Sequence, residues 1–273
     1  MDLKKLLVRS ISGLIYVAII VSTILWGYTG LMLLGIILGV LATIEFEKLC
    51  GNLHKDNAPL ILLDLAGVLC LVLSFNPLLP FFTLLVWIGI MIIRMVTELY
   101  LHRDNPLNSL SSSFFIQIYI GLPLALMGAT AFFMVPKVIL LVFLFLWIND
   151  TGAYIVGSLL GRNKLFERIS PKKSWEGFLG GLIFNLIAAA LFCYCSTTFM
   201  GLHGSIGQWL GLAAVVTVFG TWGDLIESLI KRYLHVKDSG NLIPGHGGIL
   251  DRIDSFLLAM PAVFLFFILL YLC

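Results

Sequence analysis

Ser228–Asp254 reads SLIKRYLHVKDSGNLIPGHGGILDRID, and no other stretch of the 273 residues gathers so many polar groups. It carries Lys231, Arg232, Lys237 and Arg252 beside Asp238, Asp251 and Asp254, with His235 and His246 among them. Pro244 and the glycines Gly240, Gly245, Gly247 and Gly248 break any helix here and leave backbone amides free to face a ligand. Apolar runs flank it on both sides, Leu210–Ile230 before and Ile253–Leu272 after. A polar loop between two such runs decides the class of fold. The chain is a bundle of apolar helices whose chemistry is gathered in the connections.

Composition agrees. Hydrophobic residues make up 60% of the chain and charged residues 12%, with a mean hydropathy of +1.04; soluble domains carry roughly 25% charged residues. The expectation is an all-α polytopic integral membrane protein. A net charge of +2 gives no reason to expect a nucleic-acid partner. The five cysteines show neither metal nor disulfide spacing and read as small hydrophobes. Lys4, Lys5 and Arg9 precede the apolar run Ile11–Trp26, which exceeds a signal-peptide core of ~7–15 residues and lacks a small-residue cleavage site, so it reads as an uncleaved first span.

With ~20 apolar residues per crossing, about nine spans are expected, near 9–27, 30–48, 59–76, 79–99, 110–130, 137–160, 177–198, 207–232 and 253–272. The third is short, with Asp64 about one turn inside. This count puts every Lys and Arg except Lys137 on one side. By the positive-inside rule that side, and the N-terminus with it, is cytoplasmic. Residues 1–273 form a single transmembrane domain on this reading, with N-terminal helices in 1–136 (spans one to five) and a catalytic C-terminal part in 137–273. The longest cytoplasmic loops are 161–176 and 233–252. The small-residue pairs Gly35/Gly39 and Gly157/Gly161 suit close helix packing, within the bundle or in a homodimer.

Three acids sit inside otherwise apolar spans: Asp150, Asp224 and Glu227. Each costs ~2.5–3.5 kcal/mol at a helix centre on insertion scales, so each needs a partner. Asp224 and Glu227 are three apart and share a helix face, which Lys231 continues. They fit a buried ion pair or, more strongly, a metal or proton site. In the 161–176 loop, Ser170-Pro171-Lys172-Lys173-Ser174-Trp175-Glu176-Gly177 opens like an N-cap followed by Pro at the first helical position, so a short anion-facing helix is expected. Lys172 and Lys173 signal either topology alone or phosphate binding. Gly245-His246-Gly247-Gly248 suggests an anion-cradling turn, with His246 structural or touching the ligand. Asp251 and Asp254 make a second i,i+3 carboxylate pair, and the two pairs suit one or two Mg²⁺ ions beside a polyphosphate.

The pattern Ser228-x-x-Lys231-Arg232-x4-Lys237-Asp238-x-Gly240-x3-Pro244-Gly245-His246-Gly247-Gly248-x2-Asp251-Arg252-x-Asp254 is similar to the signature of the phosphatidate cytidylyltransferases, or CDP-diacylglycerol synthases. Asn149-Asp150-x-x-Ala153-Tyr154, Ser170-Pro171-Lys172-Lys173-Ser174-x-Glu176-Gly177 and Gly223-Asp224 resemble the family too, so the likeness covers roughly residues 145–272. The resemblance implies that CTP and phosphatidic acid give CDP-diacylglycerol and pyrophosphate, with Mg²⁺, at the cytoplasmic face of the cell membrane. On that basis Asp224, Asp251, Lys237, Arg252 and His246 are the candidate catalytic residues. Lys172, Lys173, Ser174, Lys231, Arg232, Asp238, Gly247 and Gly248 are candidates for substrate binding. Asp224 and Asp251 lead the metal candidates, followed by Asp150, Glu227 and Asp254. The expected chemistry is in-line attack of an ionised phosphatidate oxygen on the α-phosphorus of CTP, which needs positioning and charge neutralisation rather than a strong base. A transporter would spread polar groups through the membrane or break helices in repeated halves, and neither pattern is present. An enzyme transferring a cytidylyl or phosphoryl group to another lipid is the closer rival.

Overall fold

The computed structural model describes residues 3–51, 57–74, 80–101, 105–199, 204–245 and 247–272. In chain order the helices are α1 (Leu3–Leu25), α2 (Tyr28–Leu49), α3 (Ala58–Leu73), α4 (Pro80–Tyr100), α5 (Pro106–Ile116), α6 (Leu122–Phe133), α7 (Lys137–Leu160), α8 (Trp175–Phe199), α9 (Ile206–Tyr233) and α10 (Leu250–Leu272). A π-helical turn, Gln117–Gly121, joins α5 to α6, so 106–133 runs as one long rod. Pro123 lies just beyond that turn; a proline has no N–H for the helical ladder, and a local π turn accommodates the loss. Eight helices among the described residues are long and apolar enough to cross a membrane. The 16-residue α3 is apolar and shorter. The chain is an all-α polytopic membrane protein, and its lipid-facing residues, Leu14 at 70% exposed among them, are apolar because lipid is their solvent.

Two compact units divide the chain: Met1–Pro136 with Val236–Ile253, and Lys137–His235 with Asp254–Cys273. Helix α10 begins in the first and continues in the second. In the N-terminal unit α2 packs on α3 and α6. A Cβ at Gly35 would lie 3.2 Å from Val72 and 3.3 Å from Met127, and one at Gly39 3.0 Å from Val68. The first small-residue pair is therefore spent on packing within the bundle. Arg94, counted from sequence among the basic residues of the cytoplasmic side, is buried within its unit at 3% exposed. It donates to Glu98 Oε2 at 2.7 Å and Ser109 Oγ at 2.8 Å, and lies 3.5 Å from Asp64 Oδ1. A cation this deep needs carboxylates around it, and α3 and α4 supply them.

In the C-terminal unit α7 and α8 pack most closely. A Cβ at Gly157 would lie 3.4 Å from the Gly177 Cα, so the second small-residue pair also serves helix contact. Phe143 stacks on Phe256 at 4.8 Å between ring centroids. Between α7 and α8 stands a hairpin of β1 (Lys164–Phe166) and β2 (Ser170–Ser174). The short helix expected at Ser170-Pro171 is thus not formed. Ser174 is the cap instead, its Oγ accepting the Gly177 N–H at 3.1 Å, and α8 starts at Trp175. Pro171 is tolerated because a two-stranded hairpin does not require its missing N–H. A lone hairpin is marginal; the Glu176 carboxylate holds this one, accepting the Arg162 N–H at 3.1 Å and the Asn163 side-chain amide at 2.7 Å.

Candidate functional site

A pocket of about 570 Å³ opens in the C-terminal unit. Helix α7 contributes Asn149, Asp150 and Tyr154, the hairpin contributes Lys164, Lys172 and Lys173, and α9 contributes Thr221 and Asp224. Ala153, Leu165 and Phe178 give it carbon walls. Three separate sequence motifs therefore meet at one cavity. The polar groups stand on rigid helices, and the hairpin brings lysines to them.

The two lysines are not equivalent. Lys173 Nζ lies 2.6 Å from Asp224 Oδ2, both half-buried, and 3.5 Å from the Thr221 carbonyl oxygen. Lys172 is exposed. Ser228 donates to the other Asp224 oxygen at 3.3 Å. Ser174 is buried and spent on capping α8. Lys231 binds Glu227 at 2.6 Å, one turn apart on α9, and the Arg232 guanidinium donates to the Ile169 carbonyl of the hairpin at 3.4 Å. Asp254 is half-buried and within electrostatic reach of Asp224, Glu227 and Asp150. Four expected carboxylates of the C-terminal unit thus share one neighbourhood, at the close approach of α9 to α10. A Cβ at Gly223 would lie 2.6 Å from the Asp254 carbonyl oxygen, and only glycine allows that approach.

Among the described residues no three His, Cys, Asp or Glu side chains converge into a ready-made metal cage. The donor chemistry nonetheless suits Mg²⁺. All four groups offer hard oxygen, and Mg²⁺ keeps waters and is held by one or two carboxylates together with substrate phosphates.

The remaining expected residues lie in the N-terminal unit. Lys237 and Asp238 are exposed on the loop, and His246 lies outside the described residues. Arg252 has a buried Nε without a hydrogen-bond partner, and its carbonyl accepts the Tyr16 hydroxyl at 2.9 Å. Within the glycine-rich turn expected to cradle an anion, the Gly248 amide is already taken by one of the chain's own carboxylates, and amides next to the turn are taken likewise. Asp251 Oδ2 accepts the N–H groups of Ser239 and Gly248, each at 2.9 Å. Glu45 of α2 accepts those of Ile249 at 2.8 Å and Leu250 at 3.0 Å, and also the Ser239 hydroxyl. Gly247 sits at φ +83°, a left-handed position that glycine adopts without strain, and a Cβ there would lie 2.6 Å from Asp251 Oδ2. Glu45 escaped the sequence reading, yet the signal that marked Asp150 and Asp224, an acid in an apolar helix, marks it equally.

The sequence model of the cytidylyltransferase family matches residues 7–270. The phosphatidate cytidylyltransferase of Staphylococcus aureus (strain COL) is 46% identical over 123 residues, which are 45% of this chain and 46% of that protein. That of Staphylococcus haemolyticus (strain JCSC1435) is 48% identical over 123 residues, with the same shares. The chain spans about half the length of the curated relatives it matches.

Proposed function

The chain belongs to the cytidylyltransferase family, and we propose that it joins CTP to phosphatidic acid, giving CDP-diacylglycerol and pyrophosphate. We place the reaction at the cytoplasmic face of the cell membrane. The observation that carries this reading is the 570 Å³ pocket where Lys164, Lys172 and Lys173 meet Asp150 and Asp224 beside carbon walls. Such a site accepts phosphates and an apolar body together, as a lipid phosphate requires.

The phosphatidate is already ionised, so its oxygen attacks the CTP α-phosphorus without a general base. The new P–O bond forms as the α–β bridge breaks, and pyrophosphate leaves with the bond electrons. The chain's part is to position both anions and to offset their charge. Lys172, exposed at the pocket rim, meets the triphosphate first. Lys173, held by Asp224 and the Thr221 carbonyl, sets the charge balance deeper in the pocket. Lys231 neutralises Glu227 one turn away on α9. Asp224, with Asp254, Asp150 and Glu227 around it, would hold Mg²⁺, which when bound supplies a Lewis acid for the α-phosphoryl oxygen.

The test is incubation of purified protein in detergent with CTP radiolabelled at the α-phosphate, Mg²⁺ and a lipid panel of phosphatidic acid, lysophosphatidic acid, diacylglycerol and a polyprenyl phosphate. Label is expected in CDP-diacylglycerol alone, with loss of transfer on chelation. Transfer to another lipid, or none with metal present, refutes the reading.

A further inference from the structure

Glu45 stands one turn from the C-terminal end of α2 and is 8% exposed. A carboxylate so buried needs donors. It finds them 194 to 205 residues away in the sequence: the Ser239 hydroxyl and the N–H groups of Ile249 and Leu250. Those amides open α10, where unpaired N–H groups and the helix dipole favour an anion. Ser239 joins this contact to Asp251, since its Oγ also lies 2.9 Å from Asp251 Oδ2. The turn is shaped around the two carboxylates. A Cβ at Gly240 would lie 2.7 Å from Glu45 Oε2, and one at Gly248 would fall on Glu45 Oε1. Helix α1 adds a second seat, with Ser12 donating to the Pro244 carbonyl at 3.0 Å.

We propose that Glu45 is a positioning residue for cytidylyl transfer: it anchors the 236–253 loop and thereby fixes the orientation of Asp251 and Arg252 at the start of α10. The kinetic consequence rests on the function proposed above; the anchoring does not. Glu45→Gln keeps the shape but leaves one acceptor oxygen in place of two, so one of the Ile249 and Leu250 amides loses its partner. Glu45→Asp keeps the charge and draws it back by one methylene. Glu98→Gln, at the buried acid that pairs with Arg94 in α4, controls for general destabilisation.

In Glu45→Gln, kcat is expected to fall at least tenfold while KM for CTP and for phosphatidate stays within threefold, and Glu45→Asp recovers part of kcat. Trypsin cleavage after Lys237, followed by mass spectrometry, should quicken at least tenfold. Glu98→Gln should leave both kcat and that cleavage rate within threefold of the parent. If Glu45→Gln does not fold, Ser239→Ala removes only the shared hydroxyl and should shift both readouts in the same direction. Cleavage at the parental rate in these variants overturns the anchoring, and faster cleavage with unchanged kcat overturns the link to catalysis. If the parent transfers no cytidylyl group, the function reading fails, and the cleavage comparison alone upholds or overturns the anchoring.

Discussion

Lys173→Ala and Lys172→Ala should separate two lysines that neighbour each other in sequence, line the same pocket and differ in burial and in partners. Lys173 Nζ lies 2.6 Å from Asp224 Oδ2, with the two side chains 27% and 32% exposed. Unit charges about 4 Å apart attract by about 4 kcal/mol at an effective dielectric constant near 20. Desolvation and side-chain ordering offset part of this, and hydrogen bonds to charged groups contribute about 1.5–3 kcal/mol net. If the transition state depends on that contact, kcat/KM for CTP falls about 10- to 150-fold in Lys173→Ala. Lys172 is exposed, and an exposed charge contributes about 0–1 kcal/mol, so Lys172→Ala should lose no more than about fivefold. The assay is initial-rate cytidylyl transfer in detergent, with CTP varied at saturating phosphatidate and then the reverse. Equal losses in the two variants, or a Lys173→Ala enzyme within threefold of the parent, would refute the assignment.

Asp224→Asn should lower transfer by orders of magnitude while the protein still inserts and elutes as the parent does, and Asp224→Glu should raise the Mg²⁺ concentration needed for half-maximal rate; normal activity of Asp224→Asn at ordinary Mg²⁺ would place the metal elsewhere. Arg94→Met strands Asp64 and Glu98 in the N-terminal unit, and removing one partner of a buried ion pair costs about 3–5 kcal/mol, so thermal unfolding in detergent should begin at a clearly lower temperature than for Arg162→Met at an exposed site. A cysteine at Gly204 is expected to react with an impermeant thiol reagent from outside intact cells, and one at Asn241 only after permeabilisation; the opposite pattern would invert the topology. Burial pushes the native Cys50 thiol up to about 11, so it stays protonated during such labelling and should give little background.

The helices were legible because lipid imposes one rule on every span: a long, predominantly apolar run, with backbone polar groups satisfied internally. Long runs such as Lys137–Leu160 and Ile206–Tyr233 follow that rule whatever packs against them. The meeting of Asp150, Lys173 and Asp224 was half legible. Asp150 and Asp224 violate the apolar pattern of their spans and Lys173 stands in a basic loop, so each was singled out, but which lysine would reach Asp224 depends on the hairpin. That hairpin was misread because Ser170 and Ser174 are both good caps, and local pattern cannot choose between them. The choice falls to Glu176, which ties the backbone at Arg162 and Asn163 and leaves Ser174 beside the first turn of α8. Counting charges near span ends assigns Arg94 a side but no partner, and that partner is Glu98, one helical turn on.

Glycines and acids in this chain take their meaning from each other. The glycine-rich turn reads from sequence as a cradle awaiting an anion, and the amides of Gly248, Ile249 and Leu250 are already taken by Asp251 and Glu45. An acid inside a membrane helix must find either a cation or a set of backbone donors. Glu45 finds amides, fixed in number and direction by the start of α10. Asp224 finds Lys173, a flexible cation that can change partners. The first arrangement resists exchange, because releasing Glu45 would strand the N–H groups of Ile249 and Leu250 together. The second exchanges readily, since an incoming phosphate competes for the same ammonium group. A buried acid held by backbone amides therefore suits a fixed support, and one held by a half-buried lysine beside a 570 Å³ pocket suits the place where anionic substrates arrive.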